Sequence, residues 1–143
     1  MVVKTFRGLL ADGGQDRIRL STIKGKVGYR IVKFQTMAAV PGTTNAEDVT
    51  KIYKTKQSTP VATVNFTDTD LLACALTTAS TETEDFGIAE QIIFDNEIFN
   101  QDIYVSHVDA KTGESVNYYI ELEVIPLDDA GAEYTTLKDM RQS

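Results

Sequence analysis

The strongest alternation of apolar and polar residues lies in the stretch 101–126. Within its second half, one set of alternate positions is apolar: Val116, Tyr118, Ile120, Leu122 and Val124. The positions between them are mostly polar: Asn117, Tyr119, Glu121 and Glu123. Because successive side chains of a strand point to opposite faces, this pattern predicts a strand with one buried face and one solvated face.

The first half of the same stretch, QDIYVSHVD, predicts a second strand. Lys111-Thr112-Gly113-Glu114 lies between the two and predicts a tight turn. The sequence therefore predicts a hairpin that forms the spine of an antiparallel sheet.

Further strand candidates precede this hairpin, separated by turn signals such as Asp12-Gly13-Gly14 and Lys24-Gly25-Lys26. They span residues 2–10, 17–21, 27–37, 49–55, 61–66, 71–77 and 88–95. The run LLACAL, within the 71–77 candidate, also fits one helical turn. These strands come without helices between them, which favours a sandwich or barrel over an α/β fold.

The period changes after Pro126. Leu127, Ala130, Tyr134 and Leu137 follow a spacing of three and four, which is typical of an amphipathic helix. Asp128 near the start and Lys138 near the end match the helix dipole. We therefore expect a short C-terminal α-helix over about residues 128–140.

Together these elements predict an all-β chain with a helix at its end. Its 143 residues suit one domain, spanning 1–143, with an N-terminal arm over about residues 1–10. The predicted fold is an antiparallel β-sandwich of jelly-roll type with about eight strands.

Composition narrows the function classes. Hydrophobic residues make up 42% and charged residues 24%, which is typical of a globular protein. The net charge of -7 argues against nucleic-acid binding and anionic-membrane binding. No apolar run approaches the roughly 20 residues that a membrane-spanning helix needs, and the N-terminus lacks the apolar core of a signal peptide. The single cysteine, Cys74, excludes an intrachain disulfide and is expected to be a small buried hydrophobe.

Charge is distributed unevenly along the chain. Most lysines and arginines precede residue 57, whereas acidic residues dominate from Asp68 onward. If the fold keeps the two groups apart, the domain has a positive and a negative side that suit head-to-tail packing of identical copies. If folding mixes the two halves, that polarity disappears.

Candidate catalytic groups are few. His107 is the only histidine; it is in phase with Ile103 and Val105, which predicts a half-buried structural role. Its neighbour Ser106 points to the opposite face of a strand and cannot act as its nucleophile. Glu121 and Glu123 lie about 7 Å apart on one face, a spacing compatible with a glycosidase pair, but solvent or a partner more often covers such a face. No catalytic, phosphate-binding or zinc-binding motif is present, so we expect no enzyme and no cofactor.

Two acidic loops are candidates for calcium. One contains Asp68 and Asp70, the other Glu82, Glu84 and Asp85. Neither matches the EF-hand loop, so no metal site within the chain is predicted. A calcium site shared between subunits stays an open alternative.

Three stretches carry a family resemblance: RGLLADGGQDRIRLST, IIFDNEIFNQDIYVSHVD and NYYIELEVIPLDDAGAEYTTLKDMR. They resemble small virion structural proteins of marine bacteriophages, and the resemblance covers most of the chain. It implies a jelly-roll capsid, minor or decoration subunit that is made in the host bacterial cytoplasm and resides in the virion. The implied partners are copies of itself and other virion proteins, and no active-site residue is implied.

Three elements are candidates for an assembly interface. The N-terminal arm alternates apolar residues and could add a strand to a neighbour, the last strand has an exposed face, and the helix has an apolar stripe. The candidate residues are Val3, Phe6, Leu9, Tyr119, Glu121, Glu123, Tyr134 and Leu137. Packing within the same chain is the alternative for the arm and the helix.

The second function class is a receptor- or glycan-binding spike or fibre head. It would use exposed aromatic side chains, for which Tyr53, Tyr104 and Tyr119 are the candidates. Cross-strand pairing within a sheet explains the same tyrosines equally well.

Overall fold

A computed structural model describes residues 2–22, 25–41, 45–79, 88–94, 97–128 and 134–138. Its strands are β1 Val2–Leu10, β2 Gln15–Ile18, β3 Val27–Ala38, β4 Ala46–Tyr53, β5 Leu71–Ala79, β6 Ala89–Ile93, β7 Ile103–Asp109 and β8 Val116–Pro126. Residues 134–138 form one short helix, α1. The prediction of an all-β chain with a short C-terminal helix is confirmed.

The strands form two antiparallel sheets that pack face to face. Sheet A has the order β1-β8-β3, and sheet B has the order β2-β7-β4-β5-β6. The predicted sandwich arrangement agrees with this division. The jelly-roll type is not confirmed. Sheet A has three strands, and sheet B has five, with β6 at its edge beside β5.

The predicted hairpin is wrong, although both of its strands exist. β7 lies between β2 and β4 in sheet B, whereas β8 lies between β1 and β3 in sheet A. The turn between them therefore carries the chain from one layer to the other. Apolar alternation is satisfied equally by strands that pair side by side and by strands that face each other across the core, so it does not distinguish the two arrangements.

The carboxylate of Asp109 holds this corner. It accepts hydrogen bonds from the backbone N–H groups of Lys111, Thr112 and Glu114, and from that of Glu47 at the start of β4. Burial alone would raise the pKa of Asp109, but these bonds outweigh burial and lower the pKa to about 2. Gly113 completes the corner with a left-handed φ of 76°.

The core lies between the sheets and includes the predicted inward face of β8. Val116, Ile120 and Leu122 have no exposed surface, and Tyr118 is buried beside them. They pack with sheet B residues such as Ile52 and Val105. The face assignment of this strand was therefore predicted correctly from its alternation.

Residues 54–70 cover the outer face of sheet B. Lys51 projects outward from β4, yet it is only 1% exposed. Its Nζ donates a hydrogen bond to the carbonyl of Thr63 at 2.6 Å and lies 5.4 Å from the centroid of the Tyr53 ring. Burial lowers the pKa of this amine. Cys74, opposite Lys51 in the β4–β5 register, is free and buried, as predicted.

The predicted strand at residues 61–66 is wrong. This part of the chain joins neither sheet and belongs to the covering segment instead. Its alternate residues Val64 and Phe66 are exposed, although Phe66 packs edge-on against Phe94 at 5.0 Å between ring centroids. Alternation alone therefore did not identify a strand here, because a strand also needs a paired neighbour.

Folding mixes the basic and acidic halves of the sequence. Arg17 pairs with Asp102 at 2.5 Å, and Arg30 pairs with Glu123. Lys33 lies 3.8 Å from the carboxylate of Glu121. Of the two outcomes left open for charge, these ion pairs favour mixing.

Helix α1 packs against the rest of the protein with residues other than those predicted. Thr135 is buried, Thr136 accepts a hydrogen bond from Asn100 at 2.6 Å, and Lys138 donates one to the carbonyl of Ile98 at 2.9 Å. The apolar residues Tyr134 and Leu137 are 71% and 58% exposed. Asp128 lies outside the helix, while residues 129–133 and 139–140 of the predicted span fall outside the described residues. No helix in the described part of the chain has the length and apolar character required to cross a membrane.

A tyrosine links the two sheets near the first turn. The hydroxyl of Tyr118 donates a hydrogen bond to Asp16 of β2 at 2.9 Å; burial and this carboxylate raise its pKa. Gly8 lies opposite Tyr118 in the β1–β8 register. A Cβ at Gly8 would lie 2.8 Å from the Tyr118 oxygen, so the absence of a side chain makes room for the ring.

We expect Gly8→Ala to lower the free energy of unfolding by about 1–3 kcal/mol, because the added methyl group forces Tyr118 out of its position. Urea unfolding would measure the change. Thr5→Ala, at an exposed position of the same strand, is the matched control and should change stability by less than about 0.5 kcal/mol. Tyr118→Phe removes the closest atom, so it should restore part of the loss in the double variant. A Gly8→Ala protein as stable as the parent would contradict the close contact.

Candidate binding site on the outer face of sheet A

His107, the first candidate for chemistry, is fully buried and connects three elements. Its Nε2 lies 2.8 Å from Asp48 Oδ1 of β4, and its Nδ1 lies 3.2 Å from the carbonyl oxygen of Ala11. Ser106 projects to the other face of β7, as predicted. The predicted half-buried position is wrong in degree, because His107 is 1% exposed. It ties the β1–β2 turn to sheet B.

The pKa of His107 results from two opposing effects. Burial lowers it, whereas the hydrogen bonds to Asp48 and Ala11 raise it, and the balance is a raised pKa. Both neighbours are acceptors, so the doubly protonated imidazolium satisfies both. The folded protein therefore holds this proton more tightly than the unfolded chain, whose histidine titrates at about 6.5.

The sign of this linkage gives a pH prediction. The stabilisation by His107 is complete below about pH 6.5 and is lost as the pH rises through the raised folded-state pKa. Asp48→Asn should cost about 3–5 kcal/mol at low pH, because it leaves the imidazolium buried without its counter-charge, and should cost less at high pH. Urea unfolding at about pH 5.5 and about pH 8.5 would measure this difference. Equal costs at the two pH values would contradict the charged pair.

The described residues include no group of three or more His, Cys, Asp or Glu side chains arranged to hold a metal ion. In the first acidic loop, Asp68 accepts a hydrogen bond from the backbone of Asp70 at 2.9 Å, and Asp70 accepts one from Thr55 at 3.1 Å. Glu82, Glu84 and Asp85, the second calcium candidate, lie outside the described residues.

The outer face of sheet A brings most of the predicted interface residues together. Val3, Leu9, Tyr119, Glu121 and Glu123 all project to this face. They lie on β1 and β8, which pair along the whole length of β1. The candidate residues on α1 lie on a helix that contacts Ile98 and Asn100.

Three features behind the interface prediction have partners within the chain itself. Phe6 lies opposite Ile120 and packs against the core, because it is out of phase with Val3 and Leu9. The N-terminal arm is β1 itself, so its backbone already pairs with β8. The carboxylates of Glu121 and Glu123 meet basic residues of their own chain, Lys33 and Arg30, rather than those of a neighbour.

The character of the outer face changes along β8. The rows that contain Glu123 and Glu121 are ion-paired with β3. In the next row, Tyr119 lies between Arg7 and Gln35. In the row after that, Asn117 lies between Leu9 and Met37, which are 59% and 66% exposed.

A groove of about 740 Å³ lies over the Tyr119 and Asn117 rows. β6, which belongs to sheet B, completes it beside β3. Its lining consists of Arg7, Gly8, Leu9, Gln35, Thr36, Met37, Ala89, Gln91, Asn117, Tyr118 and Tyr119. The volume falls within the range of about 300–1,000 Å³ that is usual for ligand sites.

The groove also separates the three candidate tyrosines. Tyr119 lines it, whereas Tyr53 is buried under the covering segment and lies opposite Tyr104 in the β4–β7 register. Cross-strand pairing therefore accounts for Tyr53 and Tyr104. Partial burial and a hydrogen bond to Glu121 raise the pKa of Tyr119.

Five of the groove residues were not predicted as site residues from the sequence: Arg7, Gln35, Met37, Gln91 and Asn117. Each lies on a strand that was predicted at least in part, and the alternation of β8 already placed Asn117 on the outer face. The missing information was which strands flank β8, because pairing partners lie far apart in the chain.

Comparison of the sequence with protein-family models gave no match, and comparison with curated proteins gave none either. The geometry of the chain itself is therefore the basis for functional inference.

Proposed function

We propose that this chain is a non-enzymatic structural subunit of a phage particle, as a capsid, minor or decoration protein. It docks on copies of itself or on other virion proteins through the outer face of sheet A. The observation that supports this most directly is the difference between the two outer faces. Residues 54–70 cover sheet B, whereas the outer face of sheet A leaves Leu9 and Met37 more than half exposed.

The chemistry of the outer face suits a protein partner. Exposed apolar side chains that share one face provide the area from which water is released on docking. The charged residues at the other end are already paired as Arg30–Glu123 and Lys33–Glu121. A partner can cover them without burying an isolated charge, which would be costly. Tyr134 and Leu137 on α1 offer a second contact.

Sedimentation velocity over a range of concentrations, alone and with particles that lack this subunit, tests docking. The double variant Leu9→Ser and Met37→Ser should weaken association roughly tenfold or more, which corresponds to about 1.4 kcal/mol of binding free energy. Val61→Ser is the matched control, since Val61 is also half exposed but lies in the segment that covers sheet B. A chain that stays monomeric at high concentration and never binds particles would refute the proposal.

The second candidate is a receptor- or glycan-binding head module, and the groove is the observation that favours it. It combines an aromatic side chain with Gln35, Gln91 and Asn117, whose amides both donate and accept hydrogen bonds. Sugar hydroxyl groups also do both. Leu9 and Met37 line this groove, so a ligand bound there and a protein partner docked on these residues would compete for the same end of the outer face.

A glycan array distinguishes this candidate from a purely structural role. We expect binding to at least one class of glycan, and Tyr119→Ala should lose it because the variant removes the aromatic wall. Tyr104→Ala changes a tyrosine outside the groove and should leave the binding intact. An array with no signal would exclude the glycan-binding candidate.

A further inference from the structure

The charge of the groove differs from that of the whole protein. The chain has 21 acidic residues and a net charge of -7, yet none of the described residues that line the groove is acidic. Among these described lining residues, Arg7 is the one with a charged side chain. The groove is therefore a locally positive site on a negative protein, which favours an anionic ligand.

Arg7 is also available to such a ligand. It is exposed, and the ion pairs formed among the described residues do not include it. The carboxylate of Glu121, in the row beyond Tyr119, is engaged by Lys33 and by the Tyr119 hydroxyl. A planar guanidinium can bind the two oxygens of a carboxylate with two parallel hydrogen bonds.

The groups around Arg7 suit a sugar ring. Arg7, Tyr119 and Gln35 form one row across three paired strands, which are about 4.8 Å apart. The neighbouring row adds the amide of Asn117 between two apolar side chains, and Gln91 of β6 contributes another amide from the side. Such a set offers hydrogen bonds to hydroxyl groups and apolar contact to the C–H face of a ring.

We propose that this groove binds an acidic saccharide, with Arg7 holding the sugar carboxylate and the amides of Gln35, Gln91 and Asn117 holding its hydroxyl groups. The proposal rests on the glycan-binding candidate and specifies its ligand class. A peptide carboxylate could also pair with Arg7, but the three amides and the aromatic wall are better matched to a ligand rich in hydroxyl groups.

Isothermal titration with two matched probes tests the proposal: a trimer of galacturonic acid and the corresponding trimer of galactose. The acidic trimer should bind roughly tenfold more tightly than the neutral one. Arg7→Gln should reduce binding of the acidic trimer to the level of the neutral trimer. Arg19→Gln, which removes an exposed arginine outside the groove, should leave both affinities unchanged.

The outcomes distinguish failure of the acidic ligand class from failure of glycan binding in general. Equal affinity for the two trimers, or an Arg7→Gln variant that binds the acidic trimer as the parent does, would overturn the acidic class and leave the glycan-binding candidate standing. No binding of either trimer, together with an array without signal, would overturn both. An acidic peptide that displaces the bound trimer at lower concentration would overturn the sugar class. Thermal unfolding of Arg7→Gln confirms folding, since Arg7 is exposed and its replacement should not change stability.

Discussion

The burial of one face of β8 against sheet B is the constraint on which the fold depends. β1 and β3 both pair with β8, so β8 holds sheet A together. Each of its fully buried apolar side chains contributes about 1.5–3 kcal/mol. Because a strand alternates, fixing Ile120 and Leu122 in the core also fixes Tyr119 and Glu121 on the outside. A slip of one residue would exchange the two sets, so the core determines what the outer face presents.

The two layers differ in what lies beyond them. Residues 54–70 cover the outer face of sheet B and shield Lys51 and Tyr53 from water. Sheet A has no such covering among the described residues, and its outer face passes from ion pairs to amides and apolar side chains along β8. Some buried polar groups elsewhere have partners within the chain, such as His107 with Asp48 and Asp109 with its turn. The outer face of sheet A therefore offers another molecule amides and exposed apolar side chains within one groove.

Local patterns predicted much of this fold. Alternation placed both faces of β8, and the apolar run around Cys74 indicated burial. Pairing was a different matter, because β7 and β8 have the same alternation whether they lie side by side or in opposite layers. The 61–66 segment alternates without a partner, and Phe6 was grouped with Val3 and Leu9 before the register of β1 was known. The groove combines β1, β3, β6 and β8, whose adjacency follows from long-range packing that no local period encodes.

The buried amine of Lys51 can report the local opening of residues 54–70. It is held against the carbonyl of Thr63 in a site closed to solvent, with a pKa below that of an ordinary lysine. Amine-selective reagents cannot reach it while residues 54–70 stay in place. When this segment opens, the amine is hydrated, the burial that lowers its pKa is lost, and it can react like an exposed lysine. The rate at which Lys51 is labelled therefore measures the local opening of this segment. Exposed lysines such as Lys111 react at once and supply the internal standard.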